Sequence, residues 1–395
     1  MDHRAQWPAD GSDGPGPRLA VRWVSVGVAV AGALALLGVV ALWPRSDAPE
    51  LGARPGTYVD ATLTRVRTGT CRDTELNVYG DCRIVDAHLT SGDDAGADIG
   101  FQVTATQLDV PPLHEGDEVV LLDVPTGPAA YRYSFADFQR TIPLLWLLAL
   151  FVVVVVAFGR WQGIRALGGL VASGLVLVAF VVPALLRAES TLFVALSATV
   201  LIAFLALYLA HGVNRATTVA LAGTLVSLGV TTALAMVAVG AAHLTGLGDE
   251  NAQTLRVTAE ALDLRGLLVA GIVVGALGVL DDVTVSQVST VGALRRANPS
   301  LGTVAIYREA IRVGRDHVAS TVNTLVLAYA GASLPLLLFF AQGTLPVHRL
   351  VTGEIVSVEI IRMLVGSIGL VLAVPITTWL AAAVLGAGDA DALDG

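Results

Sequence analysis

The chain has 395 residues, of which 54% are apolar and only 14% are charged, and its net charge is −9. Globular domains carry about 25% charged residues, so this composition excludes an ordinary soluble protein. The acidic balance gives nucleic-acid binding no electrostatic basis. Because the apolar residues occur in long blocks, the sequence predicts a protein whose main partner is the lipid bilayer.

Eight apolar blocks approach the length of about 20 residues that a transmembrane helix needs. The first, 24–43, is too long for the apolar core of a signal peptide and has no clean cleavage site after it. We therefore expect an uncleaved signal anchor there. The other seven blocks lie at 142–159, 166–186, 191–210, 217–242, 266–290, 317–340 and 361–385. The sequence thus predicts a polytopic α-helical membrane protein with about eight transmembrane helices.

The distribution of arginine predicts the orientation of these helices. With the N-terminus inside, the short cytoplasmic segments carry eleven Arg residues and the short outer loops carry five, as the positive-inside rule requires. Both termini are then cytoplasmic. The expected organisation is a cytoplasmic N-terminus (1–23), the anchor (24–43), an extracytoplasmic β-rich domain (44–140), a seven-helix transmembrane domain (141–386) and an acidic cytoplasmic tail (387–395).

The polar segment 44–140 shows the alternation that is typical of half-buried β-strands. One set is Val59, Ala61 and Leu63; a second runs from Ile99 to Ala105. A continuous apolar run, Val119 to Val124, follows the turn signal Glu115-Gly116-Asp117. About five short strands in roughly 80 residues predict a small barrel or sandwich, of OB-like type.

Two further features of this segment concern its chemistry and its end. Cys71 and Cys82 are the only cysteines, with ten residues between them. An oxidising compartment favours a disulfide between them over a metal site, since no second Cys pair accompanies them. The aromatic side chains that close the segment are expected to form a belt at the membrane interface; they are Tyr131, Tyr133, Phe135 and Phe138.

The sixth span contains polar residues that lipid would not accommodate. It holds Asp281 and Asp282, and a carboxylate at bilayer depth costs about 2.5–3.5 kcal/mol even on the most lenient scale. Asp282, Ser286 and Ser289 fall at i, i+4 and i+7 and form one stripe along a helix, with Thr284 beside it. In the same span Gly271 and Gly275 form a G-x-x-x-G pattern, which predicts helix packing.

The seventh span opens with a matching pattern. Asp316, Ser320 and Asn323 again fall at i, i+4 and i+7, and His317 begins a second stripe. Spans six and seven are expected to be antiparallel neighbours, so the stripes should face each other near the cytoplasmic side. This predicts a transport or cation site formed by Asp281, Asp282, Thr284, Ser286, Asp316, His317, Ser320 and Asn323.

The chemistry of this predicted site leaves its ligand open. Carboxylate and amide oxygens suit hard cations, a histidine adds transition metals, and a buried carboxylate suits proton transfer. The metal is therefore unknown, and no cofactor other than a bound cation is expected. The alternative is that the sixth span ends near Leu280. The two aspartates would then lie at a hydrated helix end, and the hydroxyl stripes would only pack helices together.

The connection between these spans has the pattern of an amphipathic helix. Asn298 is expected to be the N-cap, with Pro299 at the first helical position. Apolar residues then alternate with Arg308, Glu309 and Arg312, which is typical of a helix lying in the membrane interface. Its expected role is anchoring; the alternative is a gate across the inner mouth of the site.

Three blocks of the sequence resemble the YibE/F-like family of bacterial multi-pass membrane proteins. They are Gly275 to Gln287, with its Asp-Asp pair; Gly314-Arg315-Asp316-His317 with the following Ser320 to Thr324; and Arg362 with Gly366 to Pro375. The run from Tyr133 to Arg140 is similar as well, so the resemblance covers roughly residues 50–385. It implies this topology and a place in the bacterial cell membrane. It supplies no substrate and no catalytic residues.

Three functions are compatible with the sequence. The first is a transporter or permease that moves a cation or small solute through the predicted site. The second is a membrane-embedded hydrolase, which is disfavoured because H-E-x-x-H, G-x-S-x-G and Walker motifs are absent from the sequence. The third is a non-enzymatic sensor or accessory subunit that binds a partner through the extracytoplasmic domain. The sequence shows no evident internal repeat and leaves the oligomeric state open.

Overall fold

The computed structural model describes residues 17–45, 56–72, 79–104, 112–126, 132–187, 189–248, 250–259, 262–341 and 346–385. The chain divides into two units. The first, here called the β unit, is Glu50–Ala157; the second, the helical unit, combines Met1–Pro49 with Phe158–Gly395.

The β unit contains one five-stranded sheet within its described residues. Its strands are β1 (Thr57–Arg72), β2 (Tyr79–Leu89), β3 (Asp98–Thr104), β4 (Glu118–Asp123) and β5 (Tyr133–Phe138). They are arranged in the order β3-β2-β1-β4-β5, and each neighbouring pair is antiparallel. The edge strands β3 and β5 also contact each other, so the sheet is curled.

The predicted alternation correctly identifies residues in the apolar core of this sheet. Val59, Ala61 and Leu63 of β1 are all buried, and Phe101 and Val103 of β3 pack against the same cluster. The predicted turn before β4 is confirmed: Gly116 has a φ of +90°. Its amide donates to the carbonyl of Leu63 at 2.8 Å. Ala105 lies outside the described residues.

The aromatic residues at the end of the unit pack onto the sheet. Tyr133, Phe135 and Phe138 all lie in β5 and contact the apolar cluster. The rings of Phe135 and Phe138 meet edge to face at 5.4 Å. These three residues therefore contribute to the packing of the sheet, and the interfacial belt stays a prediction. Tyr131 lies outside the described residues.

A charged network joins two turns of the β unit. Arg132 donates from Nε and Nη2 to both oxygens of the buried Asp123, at 2.8 and 3.0 Å, and from Nη2 to Asp94. Tyr133 donates its hydroxyl to Asp94 at 2.9 Å. Partial burial and the Asp94 carboxylate raise the pKa of Tyr133 to about 12. The hydrogen bonds from Tyr133 and Arg132 lower the pKa of Asp94.

The predicted disulfide falls partly outside what the structure describes. Cys82 is buried in β2 and is disulfide-bonded. The side chain of Cys71 lies outside the described residues, so the pairing stays a prediction.

Eleven α-helices are found in the described part of the chain. They are α1 (Pro17–Ala41), α2 (Thr141–Val176), α3 (Val182–Leu186), α4 (Thr191–His211), α5 (Arg215–Ala241), α6 (Glu250–Thr258), α7 (Leu264–Ala297), α8 (Thr303–Ala332), α9 (Leu334–Ala341), α10 (Val347–Thr352) and α11 (Glu354–Leu385). A π-helical turn, Leu177–Val181, joins α2 to α3.

Six helical segments within the described ranges are long and apolar enough to cross a membrane. They are Leu19–Ala41, Thr141–Leu186, Thr191–His211, Arg215–Ala241, Leu264–Ala297 and Glu354–Leu385. The second covers two predicted spans, and its backbone leaves helical geometry at Arg160 (φ 50°, ψ −127°). The seventh predicted span is divided between α8 and α9. The predicted count of eight therefore stays a prediction.

Helices α5, α7 and α11 form the centre of the helical unit, and two glycines bring α5 and α11 close together. A Cβ on Gly223 of α5 would collide with the hydroxyl of Thr377 on α11, and a Cβ on Gly369 of α11 would collide with that of Thr231 on α5. Both helices carry the same pattern, Gly-x7-Thr-Thr-x-Leu-Ala. The contact is therefore reciprocal, and small residues permit the close approach.

The start of α8 differs from the sequence prediction. Gly302 precedes the first helical residue, Thr303, whereas Asn298 caps the C-terminus of α7 and its amide donates to the carbonyl of Leu294. The prediction of Asn298 as an N-cap is therefore wrong. Ile306 and Ala310 are fully buried against α5, α7 and α11. The amphipathic face of this helix packs on protein, because its apolar residues match an apolar surface of the bundle.

Candidate functional site

Helix α7 carries the aspartate pair in its middle. Asp263 caps its N-terminus by accepting from the amide of Gly266 at 2.9 Å, and the helix then continues without a break to Ala297. The amide of Asp282 donates to the Asp281 side chain at 2.9 Å. The helix therefore does not end near Leu280, and both aspartates lie within it; their position at membrane depth stays a prediction.

Asp281 and Asp282 line a cavity of about 450 Å³ between α2, α4 and α7. Two further polar side chains line it: Ser173 of α2 and His211 of α4. The remaining lining residues are aliphatic or glycine, and no arginine is among those that the structure describes. The cavity therefore combines a largely apolar wall with two carboxylates and an imidazole.

Close contacts hold α2 against α4 beside this cavity. Gly169 of α2 lies against Ala206, since a Cβ at Gly169 would be 3.4 Å from the Ala206 Cα. Arg165 donates from Nε to the carbonyl of Leu209 at 2.8 Å, near the C-terminus of α4. Ser173 donates to the carbonyl of Gly169 at 2.8 Å. These contacts fix the position of Ser173 in the wall.

A smaller cavity of about 190 Å³ lies next to the first one, and His211 and Val285 line both. Asn214 and Ser289 are among its lining residues. Asn214 also caps α5 by accepting from the amide of Thr217 at 2.8 Å. The stripe predicted on α7 thus has Asp282 beside the larger cavity and Ser289 beside the smaller one.

The stripe predicted on α8 lies elsewhere. Asp316, Ser320 and Asn323 are exposed, and His317 is half-buried. Among the described residues none from α8 lines the cavity that contains Asp281. The structure therefore does not bring the two predicted stripes together there.

Packing explains the position of α8. Its Gly314 lies against Gln287 of α7, whose Nε2 would be 2.8 Å from a Cβ at that glycine. Ile311, Val318 and Val322 of α8 pack against a cluster on α7 and α11. The apolar face of α8 thus decides which side meets the bundle, and this turns the Asp316 stripe outward.

Thr284 and Ser286 of the predicted site have structural contacts. Thr284 is fully buried and shares a 2.7 Å hydrogen bond with Thr224 of α5. Ser286 is half-buried, and its carbonyl accepts from Thr290 at 2.9 Å. The buried Gln287, which the sequence analysis did not select, accepts from Thr378 of α11 at 2.9 Å. These groups join α5, α7 and α11.

The predicted packing glycines of α7 have open surroundings. Among the described residues no atom lies within 4 Å of a Cβ built on Gly271, and only the Tyr329 hydroxyl, at 3.5 Å, approaches one built on Gly275. Closer helix contacts are made at other glycines, among them Gly223, Gly369 and Gly314.

His211 and Ser173 were missed by sequence reasoning. His211 is the last residue of α4, and an imidazole at the end of an apolar block was a usable signal. Ser173 stands alone in an apolar helix and carried none. Within the described residues, no group of three His, Cys, Asp or Glu side chains has the geometry to hold a metal ion.

Comparison with known proteins decides the family. The sequence model of the YibE/F-like protein family matches residues 147–387. The chain belongs to the YibE/F-like family. The match includes every residue that lines the cavity and begins after the last strand of the sheet. No curated protein and no solved structure matches the chain.

The family and the apolar helices together identify an integral membrane protein. Six membrane-capable helices in the described ranges are compatible with a multi-pass arrangement. In this YibE/F-like protein the aspartate pair, Asp281 and Asp282, lies within one of these membrane-capable helices, Leu264–Ala297. Ionisable residues inside membrane helices mark substrate and ion pathways.

Proposed function

We propose that this YibE/F-like protein is a transporter or permease that moves a cation or a small solute through the cavity between α2, α4 and α7. One observation carries the proposal. Two adjacent carboxylates, Asp281 and Asp282, lie in the middle of an apolar helix and line a cavity of about 450 Å³. Adjacent carboxylates in low dielectric repel each other and are desolvated, so a binding role explains their presence better than stability does.

The proposed direction of access follows from the arginines. Arg215, Arg295 and Arg296 lie at helix ends on the His211 side, where the α4–α5 connection and the end of α7 are found. Arg165 of α2 contacts the end of α4 on the same side. The positive-inside rule assigns that side to the cytoplasm. In this proposal the cavity lies nearer the cytoplasmic face, both termini are cytoplasmic and the β unit is extracytoplasmic. Reporter fusions to each terminus test the orientation.

The test of transport uses the purified protein in liposomes that contain a trapped pH dye. A panel of monovalent and divalent cations is added outside, and the initial rate of dye response is recorded for each. We expect a response to at least one cation, and a decrease of at least about tenfold in the Asp281→Asn/Asp282→Asn variant, because removal of both charges abolishes cation binding. An unchanged rate in the double variant contradicts the proposed site.

Asp316→Asn is the matched comparison, because it makes the same chemical change on the neighbouring helix. Asp316 is exposed and lies outside the cavity, so we expect at least half of the wild-type rate. Loss of flux in this variant, with flux retained in the Asp281→Asn/Asp282→Asn variant, would move the site to α8.

A sensor or accessory role is the second candidate, and the separate β unit favours it. That unit has its own apolar core and lies almost entirely outside the family match. Its strand order, with β3 and β5 in contact, supports the OB-like proposal, and such barrels bind ligands through their outer face and loops. If deletion of residues 55–125 removes the cellular phenotype and leaves liposome flux unchanged, the β unit serves partner binding.

A further inference from the structure

The lining of the cavity narrows the class of the transported solute. Of its sixteen lining residues, twelve are aliphatic or glycine, and only Ser173, His211, Asp281 and Asp282 are polar. Binding sites for small organic molecules typically have volumes of about 300–1,000 Å³, apolar walls and few polar groups. The cavity, at about 450 Å³, belongs to that class by both size and lining.

The polar and apolar side chains of the cavity lie at different positions along the axes of α4 and α7. His211 and Val285 also line the smaller cavity, together with Ser289, so the end of α4 lies beside the later part of α7. Ile202 precedes His211 by nine residues, about 14 Å along α4, and Val274 precedes Asp282 by eight, about 12 Å along α7. One end of the cavity therefore carries the imidazole and the carboxylates, whereas the other is mainly apolar, with Ser173 as its one polar side chain among the described lining residues.

A metal cation fits this arrangement poorly. Hard cations take six or more oxygen ligands or retain their water, and among the described lining residues only Ser173, Asp281 and Asp282 offer side-chain oxygens. Within the described residues no group of three His, Cys, Asp or Glu side chains could hold a metal. Arg165 lies near enough to His211 to interact with it electrostatically, and its guanidinium donates to the Leu209 carbonyl at 2.8 Å.

We propose that the solute is a small organic ammonium cation with a hydrocarbon group; this rests on the proposed transport function. The positive nitrogen lies against Asp281 and Asp282, and the hydrocarbon group lies against Leu177, Ile202 and Val274. A carboxylate pair attracts the cationic head, while burial of apolar surface binds the other end. Binding and release involve no covalent step.

The experiment measures uptake of radiolabelled tetraethylammonium into liposomes that contain the full-length protein. Unlabelled alkyltrimethylammonium ions of increasing chain length compete, and rubidium and cobalt uptake are measured in parallel. We expect saturable tetraethylammonium uptake, competition that strengthens with chain length, and at least about a tenfold loss of uptake in the Asp281→Asn/Asp282→Asn variant.

Two glycine variants of α7 test the cavity itself. Gly278 lines the cavity, and among the described residues no atom lies within 4 Å of a Cβ built on it, so Gly278→Val adds side-chain volume at an open position of the lining. Gly271 lies two turns away, has equally open surroundings and is outside the lining. We expect Gly278→Val to reduce uptake of the larger cations several-fold and Gly271→Val to leave it near wild type.

Each result separates this inference from the proposed function. Flux of metal cations without tetraethylammonium uptake overturns the organic-cation inference and leaves transport standing. Absence of flux for every ion, in protein that is folded by its thermal melt, overturns both. Tetraethylammonium uptake that persists in the Asp281→Asn/Asp282→Asn variant overturns the assignment of the binding groups. Equal effects of Gly278→Val and Gly271→Val overturn the assignment of the cavity.

Discussion

The acidic residues of the β unit and the aspartate pair of the helical unit have opposite surroundings. In the β unit Arg132 holds Asp123 and Asp94, and Arg67 pairs with Asp86. In the helical unit, within the described residues, neither Asp281 nor Asp282 has a basic partner, and both line a cavity instead. Paired charges stabilise a fold, whereas unpaired carboxylates in an apolar wall destabilise it. The difference separates charges that maintain structure from charges that are available to a ligand.

The sharpest test of this comparison changes each cavity aspartate alone. We expect Asp281→Asn and Asp282→Asn each to lower flux at least about tenfold. The melting temperature in detergent should stay equal or rise, because within the described residues neither carboxylate has a basic partner to lose. A melting temperature that falls together with flux would show that the pair is structural and would break the comparison.

The second test concerns the close packing of α5 against α11 in the helical unit. We expect Gly223→Ala or Gly369→Ala to destabilise the protein by about 1–3 kcal/mol, since the added methyl group collides with a threonine on the facing helix. Gly229→Ala on α5 is the control, because among the described residues no atom lies within 4 Å of its Cβ position. It should leave stability equal or raise it by about 1 kcal/mol. Similar melting temperatures for all three variants would contradict the close crossing.

The third test removes a paired charge from the β unit. We expect Arg132→Ala to increase hydrogen exchange in β4 and β5 several-fold, because the buried Asp123 loses its partner. Flux through the helical unit should be unchanged. Exchange is measured by mass spectrometry on the full chain in detergent. Arg67→Ala on β1 is the matched variant, because it removes the more exposed pair with Asp86. Unaltered exchange would show that this network contributes nothing to the sheet.

The smallest effect is a titration. Burial and Asp94 raise the pKa of Tyr133 to about 12, so the ultraviolet difference between wild type and Tyr133→Phe should show a midpoint near that value. In Asp94→Asn the midpoint should move down. Because the folded-state pKa lies above the unfolded value of about 10, this stabilisation is complete below pH 10 and is lost as pH rises towards 12. A titration midpoint for Tyr133 at the unfolded pKa of about 10 would show that its hydroxyl does not interact with Asp94.

Sequence reasoning succeeded where the pattern is local. A period of two placed Val59, Ala61 and Leu63 in the core of the sheet, because a strand turns alternate side chains to one face. Block length located α4, α5 and α11 within several residues. The family resemblance was confirmed, although the match begins at residue 147 rather than near residue 50.

The sequence did not predict which helix packs against which face of another helix. The spacing of Asp316, Ser320 and Asn323 correctly places them on one face, but the apolar residues of α8 turn that face away from the cavity. His211 comes to Asp282 from a different helix, 71 residues earlier in the chain. Periodicity describes one helix at a time and contains no information about which face meets which helix.

The reciprocal crossing of α5 and α11 has a geometric consequence. Its two glycine–threonine contacts are eight residues apart on each helix, about 12 Å. With a single point of close contact, two helices could still rotate about that point. Two separated contacts restrict this rotation and fix the crossing angle. Lipid supplies no hydrophobic force to align helices. The two contacts, Gly223 with Thr377 and Thr231 with Gly369, therefore fix the angle at which α5 crosses α11.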